Sequence, residues 1–358
     1  MTDQIYYLIE NKVYPKDLER YGCDYFSIKK TFLDFTPLIY GLNLNPKKIR
    51  DIAIKEINTL EDLELEQIKD ALIIDFLSNS KSANKIRKLL IKNNKIVKRV
   101  NLYFSNKSIY MTLKFFINKI VNIFNQNYFD ILIITGKSSS SNFLNFPAKK
   151  ILYGNSYDYE KIENKNFNDL SYKYSVYLDE ILFEHPDEKL LNLQSIEDGN
   201  FYVKLDKYFQ ILEKEDNLKV VVAMHPKRNL EDRKFFDNRN VFYEQTKELV
   251  KNCEYVIAHG STSINFAIIY KKPIIIFTTK NINSHYKNVF VNLKKMINCN
   301  IINLDENNVS FKVEKSISEK SYLDFFYQYI RHPKSLINNT WSLLNDEIYN
   351  KNKGKNKF

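Results

Sequence analysis

Two strand ends carry the residue types that an anion-handling site needs. The apolar run Leu218 to Met224 ends in His225-Pro226-Lys227-Arg228, and the run Tyr255-Val256-Ile257-Ala258 ends in His259-Gly260-Ser261-Thr262-Ser263. In a parallel sheet both turns emerge on one edge, so side chains far apart in sequence face one crevice. Gly260 lets the backbone turn sharply, and the helix that follows aims its N–H groups and positive dipole end at an anion. Ser261, Thr262 and Ser263 add hydroxyl donors, although a serine or threonine at this place also serves simply as a helix cap. His225 is held toward extended geometry by the proline after it. An imidazole there donates a proton or a hydrogen bond to a departing phosphate, because it titrates near neutral pH and a phosphate neighbour favours its charged form. Lys227 and Arg228 add positive charge. His259 is the second imidazole of the pair, with its ring either at the anion or turned into the sheet.

Group transfer to a hydroxyl also needs a base, since a neutral hydroxyl is a poor nucleophile until a carboxylate accepts its proton. Asp179 and Glu180 close the strand Tyr174 to Leu178 as such a base should. Glu197-Asp198-Gly199 is a rival acidic pair that precedes a helix and reads chiefly as capping and first-turn charge. His185-Pro186-Asp187 reads as a surface turn. Asp179 and His225 are therefore the candidate catalytic residues, and Lys227, His259, Gly260, Ser261, Thr262 and Ser263 the candidate contacts to a nucleotide.

Short apolar runs alternating with helix-prone segments must position these turns. Ile5 to Ile9, Leu72 to Asp75 and Ile131 to Gly136 suit buried parallel strands, while Leu60 to Lys69 and Ile109 to Asn125 place apolar residues at helical spacing. Gly136 opens into Lys137-Ser138-Ser139-Ser140-Ser141, a polar turn at a strand's carboxyl end. In the second half, residues 198–213 put Phe201, Leu205, Tyr208, Phe209 and Leu212 on one helical face. Strands at 218–224, 255–258 and 273–278 with helices at 244–251 and 263–270 complete a doubly wound pattern. The expected organisation is an N-terminal Rossmann-like acceptor lobe over 1–150, a C-terminal Rossmann-like donor lobe over 151–334, and a terminal helix with a basic tail over 335–358. His332-Pro333 repeats the earlier dipeptide without a strand before it.

At 358 residues the chain suits two domains of moderate size, each large enough to bury a core without disulfides. A net charge of +11 favours anionic partners without choosing among nucleotide-sugars, lipid headgroups and nucleic acid. Nucleic acid ranks last, because the basic residues are scattered and no recognised module appears. Cys23, Cys253 and Cys299 form no CxxC or Cys/His cluster, which fits a reducing compartment and excludes a readable zinc site. The N-terminus has no signal-peptide pattern, and no apolar stretch reaches the ~18 residues that a membrane span needs. A cytoplasmic protein, soluble or peripheral, is expected. P-loop, GxGxxG, HExxH and GxSxG patterns are all absent.

The ordered set Tyr177-Leu178-Asp179-Glu180, His185-Pro186-Asp187, Val222-Ala223-Met224-His225-Pro226-Lys227, Thr246 to Val250, Ala258 to Ser263 and Lys272-Pro273-Ile274 resembles bacterial surface-polysaccharide biosynthesis proteins of GT-B architecture. Broader relatives are the bacterial sialyltransferases, polysialyltransferases and Kdo transferases, which use CMP-activated acidic sugars. The resemblance implies an α/β fold of two Rossmann-like lobes with parallel sheets and a cleft between them. It also implies Asp179 as acceptor base, His225 as partner of the donor phosphate, and Ser261 with Thr262 as phosphate or nucleotide contacts. The acidic motif departs from the sialyltransferase pattern, since Ile181 stands where a glycine follows the acidic pair. No cofactor is implied beyond a nucleotide-sugar donor, CMP-linked in these relatives, and no tightly bound metal, in agreement with the missing DxD triplet. The implied acceptor is a glycan or glycolipid of the capsule or lipopolysaccharide, met at the inner face of the cell membrane. A UDP-hexosamine epimerase-like enzyme and a non-catalytic assembly component are the alternatives.

Overall fold

The computed structural model describes residues 3–100, 129–139, 147–160, 170–183, 199–228, 230–236, 238–282, 284–306, 315–336 and 338–350. One compact unit is built from the described residues up to Glu160 together with those from Arg331 to 350, and the other from the described residues between 170 and 330.

The first unit holds an eight-stranded sheet of β1 (Gln4–Ile9), β2 (Lys29–Asp34), β3 (Lys48–Ile49), β4 (Ile52–Glu56), β5 (Leu72–Asp75), β6 (Lys95–Val100), β7 (Phe129–Ile134) and β8 (Ala148–Tyr153). Its order is β3-β4-β2-β1-β5-β6-β7-β8, with only the short edge strand β3 antiparallel. The second unit holds a wholly parallel sheet of β9 (Tyr174–Leu178), β10 (Lys219–Met224), β11 (Val241–Tyr243), β12 (Val256–Ala258), β13 (Ile274–Thr278) and β14 (Asn300–Asn303), ordered β11-β10-β9-β12-β13-β14. Counted within its own unit, that order is third, second, first, fourth, fifth, sixth, the Rossmann arrangement. Without β3, the first sheet follows the same order with one further strand. Each sheet thus has a switch point, between β1 and β5 in the first and between β9 and β12 in the second.

Parallel strands covered on both faces must be apolar on both faces. All five residues of β9 and all three of β12 are buried accordingly. The helix Phe201–Asp216 buries Phe201, Leu205, Tyr208, Phe209 and Leu212, the face expected from their spacing. Phe209 packs edge-on against Tyr177 of β9 with ring centroids 5.2 Å apart. Full burial of each such side chain stabilises by about 1.5–3 kcal/mol, which fixes this helix over the sheet whose carboxyl edge carries the candidate site.

The strands expected at 72–75 and 174–178 form at those bounds, and those expected at 5–9, 131–136, 218–224, 255–258 and 273–278 form with ends shifted by one or two residues. The helix expected over Leu60 to Lys69 stops at Leu65. The helix expected over 109–125 lies outside the described residues. The boundary expected at 150 falls inside β8, which pairs with β7 from Phe129↔Ala148 to Ile134↔Tyr153 and so belongs to the first unit. The segment expected as a separate tail from 335 is core of that same unit. Trp341 is 1% exposed and packs with Ile5, Tyr7, Phe32 and Ile133. Its indole N–H donates to the Arg20 carbonyl at 3.2 Å. Gly22, at φ +73°, makes room for it, since a Cβ there would lie 2.4 Å from the indole. The basic end from 351 lies outside the described residues.

Candidate functional site at the second sheet's switch point

β9 lies between β10 and β12, with Ala223 paired to Leu178 and Ile257 to Tyr177. Asp179, His225 and His259 therefore leave the sheet side by side on one edge. Neighbouring strands lie about 4.8 Å apart, so the His225 and His259 turns start about 10 Å from each other with the Asp179-Glu180 end between them. The two turns named from the sequence do converge.

Glu180 occupies the middle of this edge. Its carboxylate accepts three successive backbone N–H groups, from His259 at 2.9 Å, Gly260 at 2.8 Å and Ser261 at 2.6 Å. The expected phosphate cradle is thus filled by the chain's own carboxylate, which corrects the expectation for the Gly260 and Ser261 amides. Glu180 is 5% exposed, and burial pushes its pKa up to about 7 against the pull of the three donors. Gly260 is required by close approach rather than by a sharp turn, because a Cβ there would lie 2.9 Å from the Tyr286 ring. Ser261 Oγ accepts the Ser263 N–H at 3.1 Å, and the Ser263 side chain makes no capping bond to the short helix Ile264–Ile269. Thr262 is exposed, while Ser261 and Ser263 are half-buried.

Asp179 is not placed as an acceptor base. It is 4% exposed, and Arg228 grips both of its oxygens at 2.7 and 2.8 Å. The His225 backbone N–H adds a third bond to it at 3.1 Å. Arg228, read from the sequence as further charge for a ligand, is 8% exposed and also donates to the Tyr202 hydroxyl at 2.8 Å. A buried carboxylate so paired, with the Ile181 N–H as a fourth donor at 3.4 Å, anchors the β10 turn onto β9.

His225 and Lys227 are half-buried on this edge. The Lys227 N–H donates to His225 Nδ1 at 3.2 Å, and the Arg228 N–H closes the turn on the His225 carbonyl at 3.0 Å. With Nδ1 accepting, the neutral ring carries its proton on Nε2, the tautomer that donates away from its own turn. His259 is the opposite case. It is 0% exposed, with Nδ1 2.6 Å from the Phe277 carbonyl and Nε2 3.0 Å from the Tyr177 hydroxyl, and burial lowers its pKa to about 4. Its ring is a core group of the sheet, which removes it from the nucleotide contacts. Glu197, Asp198 and the His185-Pro186-Asp187 turn lie outside the described residues.

A second polar cluster, which the sequence reading passed over, stands at the switch point of the first sheet. Glu10 follows β1 and accepts the Ser78 N–H at 2.8 Å and the Ser78 hydroxyl at 3.2 Å. It is half-buried, and burial raises its pKa despite those bonds. Behind it Asp75 is fully buried, paired with Arg87 at 2.7 Å and 3.6 Å from Lys98. Burial works to raise Asp75, but Lys98 and Arg87 together hold it below the usual carboxylate range. Burial lowers Lys98 to about 8 against the attraction of Asp75. The two sheets therefore share a device: a glutamate after the strand on one side of the switch point is hydrogen-bonded by the turn after the strand on the other side. In the first unit the carboxylate keeps solvent access.

Among the described residues no cluster of His, Cys, Asp and Glu could hold a metal ion, and no helix is long and apolar enough to cross a membrane. No protein-family model and no curated protein matches the chain by sequence. Solved structures match its fold. The wall teichoic acid polymerase TagF, as its H548A variant, is similar at TM-score 0.57 and 15% identity over 100% of this chain and 90% of that one. The H444N variant of TagF with CDPG is similar at TM-score 0.51 and 14% identity, over 99% and 90%. The S. aureus MnaA-UDP structure is similar at TM-score 0.47 and 11% identity, over 98% and 97%. At these identities the likeness is one of fold: two α/β units with parallel, Rossmann-ordered sheets, the GT-B type.

Proposed function

We propose that this chain is a glycosyltransferase that takes a sugar from a nucleotide donor and adds it to a surface glycan or glycolipid. The observation that carries the reading is the placing of His225, Lys227 and Thr262 beside the switch point of the second sheet, where open α/β sheets bind their ligands. The Nε2–H of His225, the Lys227 ammonium and the Thr262 hydroxyl are donors suited to a diphosphate or monophosphate, whose charge grows as the sugar leaves. In the transfer, the bond between the sugar carbon and the phosphate oxygen breaks with its electron pair going to the phosphate. The acceptor oxygen forms the new bond to that carbon, and its proton goes to a carboxylate.

Asp179 is spoken for by Arg228, so that carboxylate is not Asp179. A cytidine nucleotide is the proposed donor carrier. Two likenesses support it: the motif order shared with enzymes that use CMP-sugars, and the fold shared with TagF, whose variant was solved with CDPG. The site residues of this chain call for no metal in the proposed step. The acceptor is proposed to be met at the inner face of the cell membrane.

Thermal-shift measurements with CMP, CDP, UDP and GDP test the reading, since a ligand at 100 times its Kd stabilises the fold by about 2.7 kcal/mol. A shift with the cytidine nucleotides larger than with UDP or GDP is expected. No shift with any of the four contradicts a donor site, and conversion of UDP-GlcNAc to its C2 epimer without acceptor would turn the assignment to an epimerase.

A further inference from the structure

Basic residues are spread along the whole chain, but acids are not. From Phe76 to Phe129 the sequence holds nine lysines and two arginines and no aspartate or glutamate. The surplus of eleven in this one run equals the net charge of the entire chain, +11, so the remainder balances to zero. A second acid-free run, 255–304, holds six lysines. In the first unit the described part of the longer run forms the helix Lys81–Leu90 and β6. The helix buries Ala83, Ile86 and Leu90, which pack into the core with Ile73 and Ile96. Arg87 is turned inward as well, paired with Asp75 at 2.7 Å. At about 100° per residue, Lys81, Lys85 and Lys88 fall within about 60° of one another on the opposite side. Lys92 follows in the turn just past the helix end. All four lysines are exposed, and among the described residues none of them makes an ion pair.

We propose that this lysine face docks the first unit on a bilayer of anionic lipids. The inference deepens the proposed function and rests on that reading for its purpose, since a glycolipid acceptor is reached at a membrane. Charge is the first argument. Like charges at i, i+3 and i, i+4 oppose one another on a helix, and Lys81 stands in the first turn, where the helix dipole favours an acid instead. A negative surface potential relieves that repulsion without any shaped pocket. The residue types are the second argument. Nucleic acid is gripped through arginine forks and aromatic stacking. The one arginine of this helix is 2% exposed, and the helix contains no aromatic residue. Lysines are compact point charges on flexible stems, which suits the diffuse negative charge of lipid headgroups. Leu89, 40% exposed and next to Lys88, adds an apolar contact to the same face.

Co-sedimentation of the full chain with vesicles of phosphatidylcholine, with and without phosphatidylglycerol, tests the proposal. Binding to the phosphatidylglycerol vesicles alone is expected, weakening as salt is raised. Each lysine near an acidic surface strengthens binding about fivefold, so Lys85→Ala/Lys88→Ala should bind about 25-fold more weakly. Both positions are exposed in a helix, where alanine keeps the fold. Lys294→Ala/Lys295→Ala removes the same charge from exposed positions of the helix Ser284–Ile297, in the second acid-free run, and should bind as the parent does. No binding to the acidic vesicles, equal binding to the neutral ones, or equal loss in the two lysine pairs overturns the proposal. So does a DNA duplex that binds more tightly than the acidic vesicles and loses affinity in the Lys85→Ala/Lys88→Ala protein, which would give the face to nucleic acid. CDP affinity measured on the same proteins keeps the two readings apart. Vesicle binding without CDP binding would leave the docking face and remove the donor site, and CDP binding without vesicle binding would do the reverse.

Discussion

The guanidinium of Arg228 holds both carboxylate oxygens of Asp179, at 2.7 and 2.8 Å, inside the turn that carries His225. The strand-end acid that looks most like a base is therefore a structural anchor, and the turn it supports carries the histidine proposed to meet the ligand. Removing one partner of a buried ion pair leaves the other unsatisfied, at a cost of about 3–5 kcal/mol.

Asp179→Asn and Arg228→Met should each destabilise the protein by that order, and the double variant should recover a large part of the loss. Denaturant midpoints of the four proteins form the cycle. An Asp179→Asn protein as stable as the parent but inactive would return Asp179 to the role of base.

Glu180 gives the second prediction. Its pKa is about 7 in the folded protein and about 4.3 in an unfolded chain, so the folded state binds the proton more tightly. Its contribution is fully present below about pH 4 and is lost as pH rises through 7, a change of about 4 kcal/mol. The parent should lose stability across pH 4.5 to 7 relative to Glu180→Gln. Parallel pH dependences for the two proteins would show that the three N–H donors keep the carboxylate ionised throughout.

Trp341 tests the assignment of the C-terminal segment. Trp341→Ala should cost about 3–5 kcal/mol, as for other large buried side chains cut to alanine. The loss should appear in the transition of the first unit. An unaffected transition would mean that the segment is an appendage.

Much of the second unit was legible because buried parallel strands are apolar throughout and its helix Phe201–Asp216 repeats at i, i+4, i+7, i+8 and i+11. β6 was not, since Lys95, Lys98 and Arg99 make it look like surface, yet Lys98 and Arg99 are buried by pairing with Asp75 and Glu160. β8 was missed for a related reason: two lysines at 149 and 150 hide an edge strand. The convergence of the His225 and His259 turns followed from parallel pairing alone. What each side chain does there depended on partners from other turns. Glu180 fills the N–H nest of residues 259–261, Arg228 neutralises Asp179, and Tyr177 and Phe277 draw the His259 ring into the core. None of those pairings leaves a local signature.

His225 and Lys227 are proposed to hold the phosphate of a nucleotide. Calorimetric titration of CDP into the parent and into His225→Ala/Lys227→Ala measures it directly. The double variant should keep the parent's melting temperature and lose at least tenfold in affinity, about 1.4 kcal/mol. Equal affinity in the two proteins would contradict it.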